Sequence, residues 1–164
     1  MNFAQDLLAQ AGLLARLDPR RPNQANVRRA ASTAYYALFH LLTSDGAERL
    51  ARGPARNAHR ELIRRRYDHS VMASVSKHFV EARAKWITDV ILPSNALKDV
   101  AGSLGDLQQE RHAADYSLTV PFTRVRAQEA VGDAAHAFKQ WLSIRRSPEA
   151  DFYLLVMLLG PPRR

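Results

Sequence analysis

Two charged residues, Arg111 and Asp115, fall on what is otherwise the apolar face of one predicted helix. At helical spacing, this face consists of Leu97, Val100, Leu104, Leu107, Ala114 and Leu118. Residues four apart on a helix are neighbours, so the guanidinium and the carboxylate can form an ion pair. Because burial removes the hydration of both charges, we expect this pair to have a specific role in binding or in helix packing.

The same segment carries a second pair four residues apart, His112 and Tyr116, on the flank of the first. The four side chains supply a cation for a phosphate, a carboxylate that can orient it, an imidazole and a hydroxyl. This set predicts a ligand-binding or catalytic cluster. The sequence leaves one alternative open, a polar network in which Arg111 is held by Asp115 and by a tyrosine or carbonyl of another helix.

The segment RRAASTAYYALFHLL, residues 28–42, is the helix best suited to face this cluster. Its inward face is predicted to consist of Val27, Ala31, Ala34, Tyr35, Leu38, Leu41 and Leu42. The opposite face carries Arg29, Tyr36 and His40, where a surface helix would carry mostly Lys, Glu and Gln. A helix with such side chains on both faces is central in its bundle or lines a groove. We therefore predict that Arg29, Tyr36 and His40 contact a ligand.

Arginines recur every fourth residue in the next segment, at Arg56, Arg60 and Arg64. Pro54 suits the first position of a helix, so the three arginines are predicted to line one face of that helix. A row of guanidinium groups at this spacing is suited to successive phosphates. The alternative is an ordinary solvated surface, on which like charges slightly weaken the helix.

Helical periodicity covers nearly the whole chain, and strand and hairpin signals are scarce. The sixth predicted helix, for example, places Ala127, Val131, Ala134, Phe138, Trp141 and Leu142 on one face. Pro, Gly and capping residues define the helix ends. The first predicted helix covers residues 3–17, and the second is capped by Asn23 and frays near Asp45 and Gly46. The third covers about 54–66, the fourth covers 69–86 after the cap Asp68, and the fifth covers 96–118 after Ser94 or Asn95. A sixth helix follows Thr123, and a short last helix is capped by Ser147.

The length of 164 residues corresponds to one domain. We predict an all-α, single-domain up-down bundle over residues 1–145, with a C-terminal helix and tail, residues 146–164, packed on it. The last helix, DFYLLVMLLG, is apolar nearly all round. Burial in the core is the first interpretation of this helix, and contact with a second subunit is the alternative.

Composition limits the chemistry that the chain can perform. The absence of Cys excludes disulfides, thiol nucleophiles and thiolate metal sites. No two of the six His residues are three or four apart, and no Gly-rich phosphate loop occurs, so we expect neither a metal nor a cofactor. The net charge of +8 and pI near 10.4 favour a polyanionic partner such as RNA or DNA, although arginine-rich genome composition explains the charge equally well.

Membrane and export signals are weak. The N-terminal segment carries acids where a signal peptide has basic residues, and its apolar residues are spaced as in an amphipathic helix. The longest apolar run, residues 152–159, is far shorter than the roughly 20 residues that span a bilayer. The sequence therefore predicts a soluble, cytoplasmic protein that does not enter a membrane.

Two motifs together resemble the HEPN domain superfamily. They are the YYAxFH-type segment within RRAASTAYYALFHLL and the R-x-x-ADY-type segment within ERHAADYSL, and the resemblance spans roughly residues 1–145. It implies a small helical bundle that forms a homodimer in which two basic motifs face a shared cleft. Many HEPN proteins are metal-independent ribonucleases, often toxins paired with a nucleotidyltransferase-like antitoxin, so the resemblance implies those partners and that activity.

The nuclease motif of HEPN proteins is an Arg followed, after four to six residues, by His, usually with a polar residue directly after the Arg. Carried onto this chain, Arg111 matches the arginine and His112 the polar position. The histidine position holds Tyr116, and a phenol is a weak general base at neutral pH. The pair Arg64 and His69 has the right spacing, but it straddles a predicted helix end and is interpreted as coincidence.

The sequence thus predicts a HEPN-like protein that binds RNA or another nucleotide-containing ligand near Arg111, as a variant ribonuclease. Arg111 would stabilise the phosphoryl charge, His112 would transfer protons and Asp115 would orient Arg111. The alternative is a non-catalytic helical protein-protein interaction module. A helix-turn-helix DNA-binding domain is disfavoured, since no short Gly-containing turn precedes a recognition helix.

Overall fold

The computed structural model describes residues 3–119 and 121–162, and within these ranges it is helical and contains no strand. The all-α class predicted from the sequence is confirmed. A short 3-10 turn, Pro54–Arg56, precedes the third helix. The helices are α1 (Phe3–Leu14), α2 (Gln24–Leu50), α3 (Asn57–Arg64), α4 (His69–Glu81), α5 (Lys85–Thr88), α6 (Asn95–Tyr116), α7 (Arg124–Ile144) and α8 (Pro148–Leu159).

The chain divides into two compact units. The first unit consists of Met1–His40 and Ser103–Lys139, and the second consists of Leu41–Gly102 and Gln140–Arg164. The helices α2, α6 and α7 contribute residues to both units. The division into residues 1–145 and 146–164 stays a prediction.

The core of the first unit is built largely from alanine. Short side chains allow helix axes to approach closely, because interaxial distance depends on the residues at the contact. Larger buried residues, among them Tyr35, Leu38, Leu107 and Phe138, fill the space between the helices. The buried alanines include Ala30, Ala31, Ala34 and Ala37 of α2 and Ala127, Ala130, Ala134 and Ala137 of α7.

The second unit has larger apolar and aromatic side chains in its core. The helix α8 packs on α4, with the rings of Phe79 and Tyr153 edge to face at 4.8 Å. The hydroxyl groups of Tyr153 and Ser76 lie 2.7 Å apart, and burial raises the pKa of Tyr153. Five of the twelve residues of α8 are buried, which agrees with the core interpretation, but Leu155 and Leu159 remain exposed.

The predicted caps are confirmed by backbone hydrogen bonds. A capping side chain accepts from an N–H two or three residues along the chain and satisfies a donor that lacks a helical acceptor. Among the two candidates for α6, Ser94 provides this bond. The caps are Asn23 with Ala25 N at 2.8 Å, Asp68 with Ser70 N at 2.8 Å, Ser94 with Leu97 N at 3.2 Å and Ser147 with Ala150 N at 3.2 Å.

Two helices end at least three residues earlier than predicted. The helix α1 stops at Leu14, and Arg124 donates to the carbonyls of Leu17 at 2.9 Å and Pro19 at 2.8 Å, which fixes the following residues as a turn. The helix α4 stops at Glu81, because Ala82 adopts a left-handed conformation with φ 49°. Two residues assigned to inward faces are exposed instead: Leu118 and Leu142.

The predicted fraying of α2 near Asp45 and Gly46 is wrong. The helix continues to Leu50, and both residues are buried. The Asp45 carboxylate accepts hydrogen bonds from Trp141 Nε1 at 2.7 Å and Arg145 Nη2 at 2.6 Å. Tertiary contacts therefore stabilise a stretch whose local signal favours a helix end.

Because Gly46 has no side chain, the ring of Tyr67 can lie against its backbone. A Cβ built on Gly46 would lie 1.9 Å from Tyr67 Oη, and that hydroxyl donates to Leu154 O at 3.2 Å. The ring is buried, and desolvation raises the pKa of Tyr67 to about 12. The hydroxyl is thus held from two sides and has little room to move.

Gly46→Ala should lower the free energy of unfolding by about 2 kcal/mol, because the added methyl group overpacks this contact. Denaturant unfolding of the two proteins measures the difference. The matched control is Gly132→Ala in α7, where a new Cβ meets nothing within 4 Å. That control should gain about 0.5–1 kcal/mol from helix propensity, so equal changes in both variants would contradict the packing argument.

Candidate ligand-binding site around Arg111

Arg111 is a buried cation whose hydrogen-bonding capacity is not met within the described part of the chain. The residue is 9% exposed, and its Nε and Nη1 atoms are buried without a hydrogen-bond partner. The nearest carboxylate oxygen, Asp115 Oδ2, lies 3.6 Å from Nε, which is an ion pair but too long for a good hydrogen bond. Buried donors without acceptors are rare and destabilising, so this group needs an explanation.

Two tyrosine rings of α2 hold the guanidinium of Arg111 in place. Its Cζ atom lies 5.3 Å from the ring centre of Tyr35 and 5.5 Å from that of Tyr36. Both distances are within the range of cation–π attraction, which strengthens where water is excluded. Tyr35 is fully buried and Tyr36 half-buried, so the site is open on the side of Tyr36. A tyrosine of the central helix contacting Arg111 is the arrangement that the packing alternative described.

Asp115 lies at the exposed edge of the apolar face rather than within it. Its side chain is 34% exposed, because α6 ends one residue later, at Tyr116. The carboxylate accepts a hydrogen bond from Ser32 Oγ at 2.7 Å. The predicted pairing of Arg111 with Asp115 is confirmed, while the full burial of Asp115 is wrong. Ser32 fixes the carboxylate that orients the arginine.

The end of α6 is capped by Arg28, a residue that the sequence analysis did not single out. Its Nη1 donates to Ala114 O at 2.9 Å, and its Nη2 donates to Ser117 O at 3.1 Å. The last carbonyls of a helix lack helical partners and carry partial negative charge, so they attract a guanidinium. The partner residues lie more than 80 positions away in sequence, so no local pattern could have indicated this contact.

His112 and Tyr116 lie on the exposed side of α6. Their ring centres are 5.5 Å apart, and Tyr116 is 69% exposed. The predicted convergence of four side chains is therefore partial. Arg111 and Asp115 contact α2, whereas His112 and Tyr116 contact each other next to solvent.

An aromatic strip on α2 continues from Tyr36 to His40. The ring centres of Tyr36 and His40 are 6.3 Å apart, and Phe39 and Phe3 pack edge-on against His40 at 5.4 and 5.1 Å. The strip is half-buried, apart from exposed Phe3. Aromatic surfaces beside a cation are suited to unpaired bases, which stack on such rings. Arg29, on the same helix, is exposed.

The predicted row of three arginines on one helix is wrong, and its members belong to the second unit. Arg56 ends the 3-10 turn, so only Arg60 and Arg64 lie on α3. Arg60 donates to Ala51 O at 2.9 Å and to Gly53 O at 2.5 Å, which holds the preceding turn. Arg64 pairs with Glu61 at 3.0 Å. Two of the three guanidinium groups therefore already have acceptors.

The described residues hold neither a cluster suited to a metal ion nor a helix suited to span a membrane. Residues 3–119 and 121–162 contain no cluster of three or more His, Cys, Asp or Glu side chains that could hold a metal ion. None of the helices in those ranges is both long and apolar enough to cross a membrane.

Comparisons with known proteins add no identification. No protein-family model matches the chain, and neither a curated protein nor a solved structure matches it. The likeness to HEPN domains stays a prediction from two sequence motifs.

Proposed function

We propose that this chain is a HEPN-like, RNA-binding protein whose phosphate contact is Arg111. The observation that carries the proposal is the buried guanidinium of Arg111, which has two donor nitrogens without acceptors and packs against two neighbouring tyrosine rings. A phosphodiester is a suitable acceptor, because the forked N–H groups of a guanidinium can donate to two phosphate oxygens and both groups are charged. In this proposal, the bound phosphate approaches from the side of Tyr36, and an unpaired base stacks on the strip that Tyr36 and His40 form.

Charge favours the same ligand. The chain carries a net charge of +8, and Arg29 is an exposed cation on the helix that contacts Arg111. Exposed cations steer a polyanion to a site and contribute salt-dependent affinity. Arg29 would contact a neighbouring phosphate, while Arg111 would supply the desolvated and therefore stronger contact.

The proposal includes slow, metal-independent cleavage of the bound strand. The RNA 2′-oxygen attacks the adjacent phosphorus, and the bond from phosphorus to the 5′-oxygen breaks, which leaves a cyclic phosphate and a free 5′-hydroxyl. A base takes the proton of the 2′-hydroxyl and an acid supplies a proton to the 5′-oxygen. His112 is the proton-transfer group, Tyr116 occupies the position of the family's histidine, and Arg111 stabilises the charge on phosphorus.

The resemblance to HEPN domains also implies how the chains assemble. We propose a homodimer in which the Arg111 sites of both copies face one cleft, in the cytoplasm, paired with a nucleotidyltransferase-like antitoxin. In HEPN proteins the two basic motifs face a shared cleft, so a dimer would place a second His112 and Tyr116 near the same bound strand.

The packing contacts of α6 favour one other function, a non-catalytic interaction module. Three contacts join α6 to α2. They are the contacts of Arg111 with its two tyrosines, of Asp115 with Ser32, and of Arg28 with the carbonyls of α6. In this second function, the network fixes how the two helices pack and has no other role. In that case the chain would have no affinity for RNA beyond what its net charge gives.

A salt titration with a short, labelled single-stranded RNA tests the proposal. If Arg111 and Arg29 each contact one phosphate, the affinity should fall about 7-fold between about 50 and 200 mM salt, since each phosphate contributes a slope of about 0.7 for single strands. Fluorescence anisotropy provides the measurement. Arg29→Gln should lower the slope by about 0.7.

The matched control is Arg83→Gln, which removes an exposed arginine of the second unit and should leave the slope unchanged. Absence of binding at low salt would eliminate the RNA proposal. Equal slopes for Arg29→Gln and the wild type would remove Arg29 from the site.

A further inference from the structure

The second unit contains a cavity of about 400 Å³ in which four arginines gather. Arg49 and Arg52 come from the end of α2 and the residues after it, and Arg145 and Arg146 come from the turn between α7 and α8. The pKa of Arg49 is lowered, chiefly by burial and further by the charges of Arg145 and Arg52, although Asp45 opposes the shift. The guanidinium groups of Arg145 and Arg52 are therefore close enough to repel that of Arg49.

Internal ion pairs satisfy two of the four arginines. Arg145 donates to the buried carboxylate of Asp45 at 2.6 Å, and Arg49 pairs with Asp151. Arg52 and Arg146 are both exposed and form no hydrogen bond or ion pair with another described residue. These two arginines are available to a ligand.

One acid, Glu48, lines the same cavity and is exposed. With the two internal ion pairs set aside, Arg52 and Arg146 outweigh Glu48 by one positive charge. The cavity is thus suited to an anion, and Glu48 reduces its affinity. The opposite signs of these charges give a test in which one substitution strengthens binding and another weakens it.

A second, more apolar cavity of about 260 Å³ lies next to the first and shares Arg49, Arg52 and Asp151 with it. Its other walls include Leu50, Leu154 and Leu155 and the ring of Tyr67. Leu50 and Leu155 are 54% and 43% exposed, so apolar surface faces the opening. The larger cavity has the volume of a small-molecule site, and the pair together combines apolar walls with a few charged groups, as such sites do.

We propose that this pair of cavities binds a phosphomonoester with an apolar body. Arg52 and Arg146 hold the phosphate, since guanidinium forks match its oxygens and form charge-assisted hydrogen bonds. The apolar body lies against Leu50, Leu154 and Leu155 and loses contact with water there. The site is independent of the RNA site around Arg111, because no residue is common to the two.

Isothermal titration calorimetry of the full chain with phenyl phosphate tests the assignment. Phenyl phosphate should bind about tenfold more tightly than inorganic phosphate, because the ring adds apolar burial. Arg52→Gln and Arg146→Gln should each weaken phenyl phosphate about tenfold, which corresponds to one charge-assisted hydrogen bond. Glu48→Gln should strengthen it about threefold through removal of a repulsive charge.

Two further variants separate the parts of the site. Leu155→Ser should weaken phenyl phosphate and leave inorganic phosphate unchanged. Arg83→Gln, an exposed arginine of the same unit outside the cavity, is the matched control and should change neither.

Three outcomes would overturn the proposal. They are absence of heat with phenyl phosphate, equal affinities for Arg52→Gln, Arg146→Gln and the wild type, and loss of affinity in Glu48→Gln. None of these outcomes bears on Arg111, so a failure here is distinguishable from a failure of RNA binding.

Discussion

Replacement of Asp45 by Ala should lower the free energy of unfolding by about 3 kcal/mol. The carboxylate is 5% exposed and accepts from Trp141 Nε1 at 2.7 Å and from Arg145 Nη2 at 2.6 Å. Its removal leaves the buried indole N–H without an acceptor. Arg145 loses its partner too, but its side chain is 37% exposed and regains water, which keeps the effect at the lower end for a broken buried pair.

Denaturant unfolding followed by both tryptophan fluorescence and circular dichroism measures this change. Coincident transitions are needed because a free energy is defined only for two-state unfolding, and the chain has two compact units. Asp45→Asn keeps an acceptor for Trp141 and should lose less, about 1 kcal/mol. Asp151→Ala removes an exposed acid from an ion pair with Arg49 and should change stability by less than about 1 kcal/mol. Similar losses in all three variants would contradict the role given to Asp45.

Asp45 also illustrates why the sequence did not predict how far α2 extends. An acid followed by glycine favours a turn, although the AERL segment that follows contains good helix formers. The contacts that keep the helix intact come from Trp141 and from Tyr67, which occupies the space beside Gly46. Such contacts exist only after the second unit has folded, so local propensity cannot reveal them.

Local chemistry predicted the helix starts, by contrast. Asn23, Asp68 and Ser147 each cap a backbone N–H only two or three residues away, so the signal and the contact lie in the same few residues. Periodicity likewise placed Arg111 on a buried face, because a helix repeats every 3.6 residues whatever surrounds it.

The candidate site was predicted in part for the same reason. The pairing of Arg111 with Asp115 follows from spacing along α6, and the tyrosine contact follows from the unusual outer face of α2. The anchors Ser32 and Arg28 could not be found this way, since their partners are more than 80 residues distant. For Arg60 the sequence predicted a phosphate contact, but the guanidinium already donates to two backbone carbonyls. Regular spacing along a helix cannot reveal such contacts.

Arg111→Met should reduce RNA affinity and any cleavage about 100-fold while leaving the free energy of unfolding within about 1 kcal/mol of the wild type. Two N–H groups of Arg111 lack acceptors, so the native residue gives up hydration without full compensation. Methionine fills a similar volume and packs well against aromatic rings. Its contacts with Tyr35 and Tyr36 should offset the lost cation–π attraction and ion pair.

Arg28→Met is the matched control for this substitution. Arg28 donates to Ala114 O and Ser117 O, so its removal leaves helix-end carbonyls without a donor. That variant should lose about 2 kcal/mol of stability. The two arginines contact the same pair of helices, yet the one with satisfied donors should matter more for folding, and the one with unsatisfied donors should matter more for RNA.

The two readouts together decide between a binding site and a packing network. If Arg111 serves only to fix α6 on α2, Arg111→Met should lose about 3 kcal/mol, the lower end for a broken buried pair because Asp115 is partly exposed, with RNA affinity unchanged. If Arg111 binds phosphate, stability and RNA affinity should separate as stated. A buried charge without acceptors is often completed by another molecule, and the guanidinium of Arg111, packed against the neighbouring rings of Tyr35 and Tyr36, has this character.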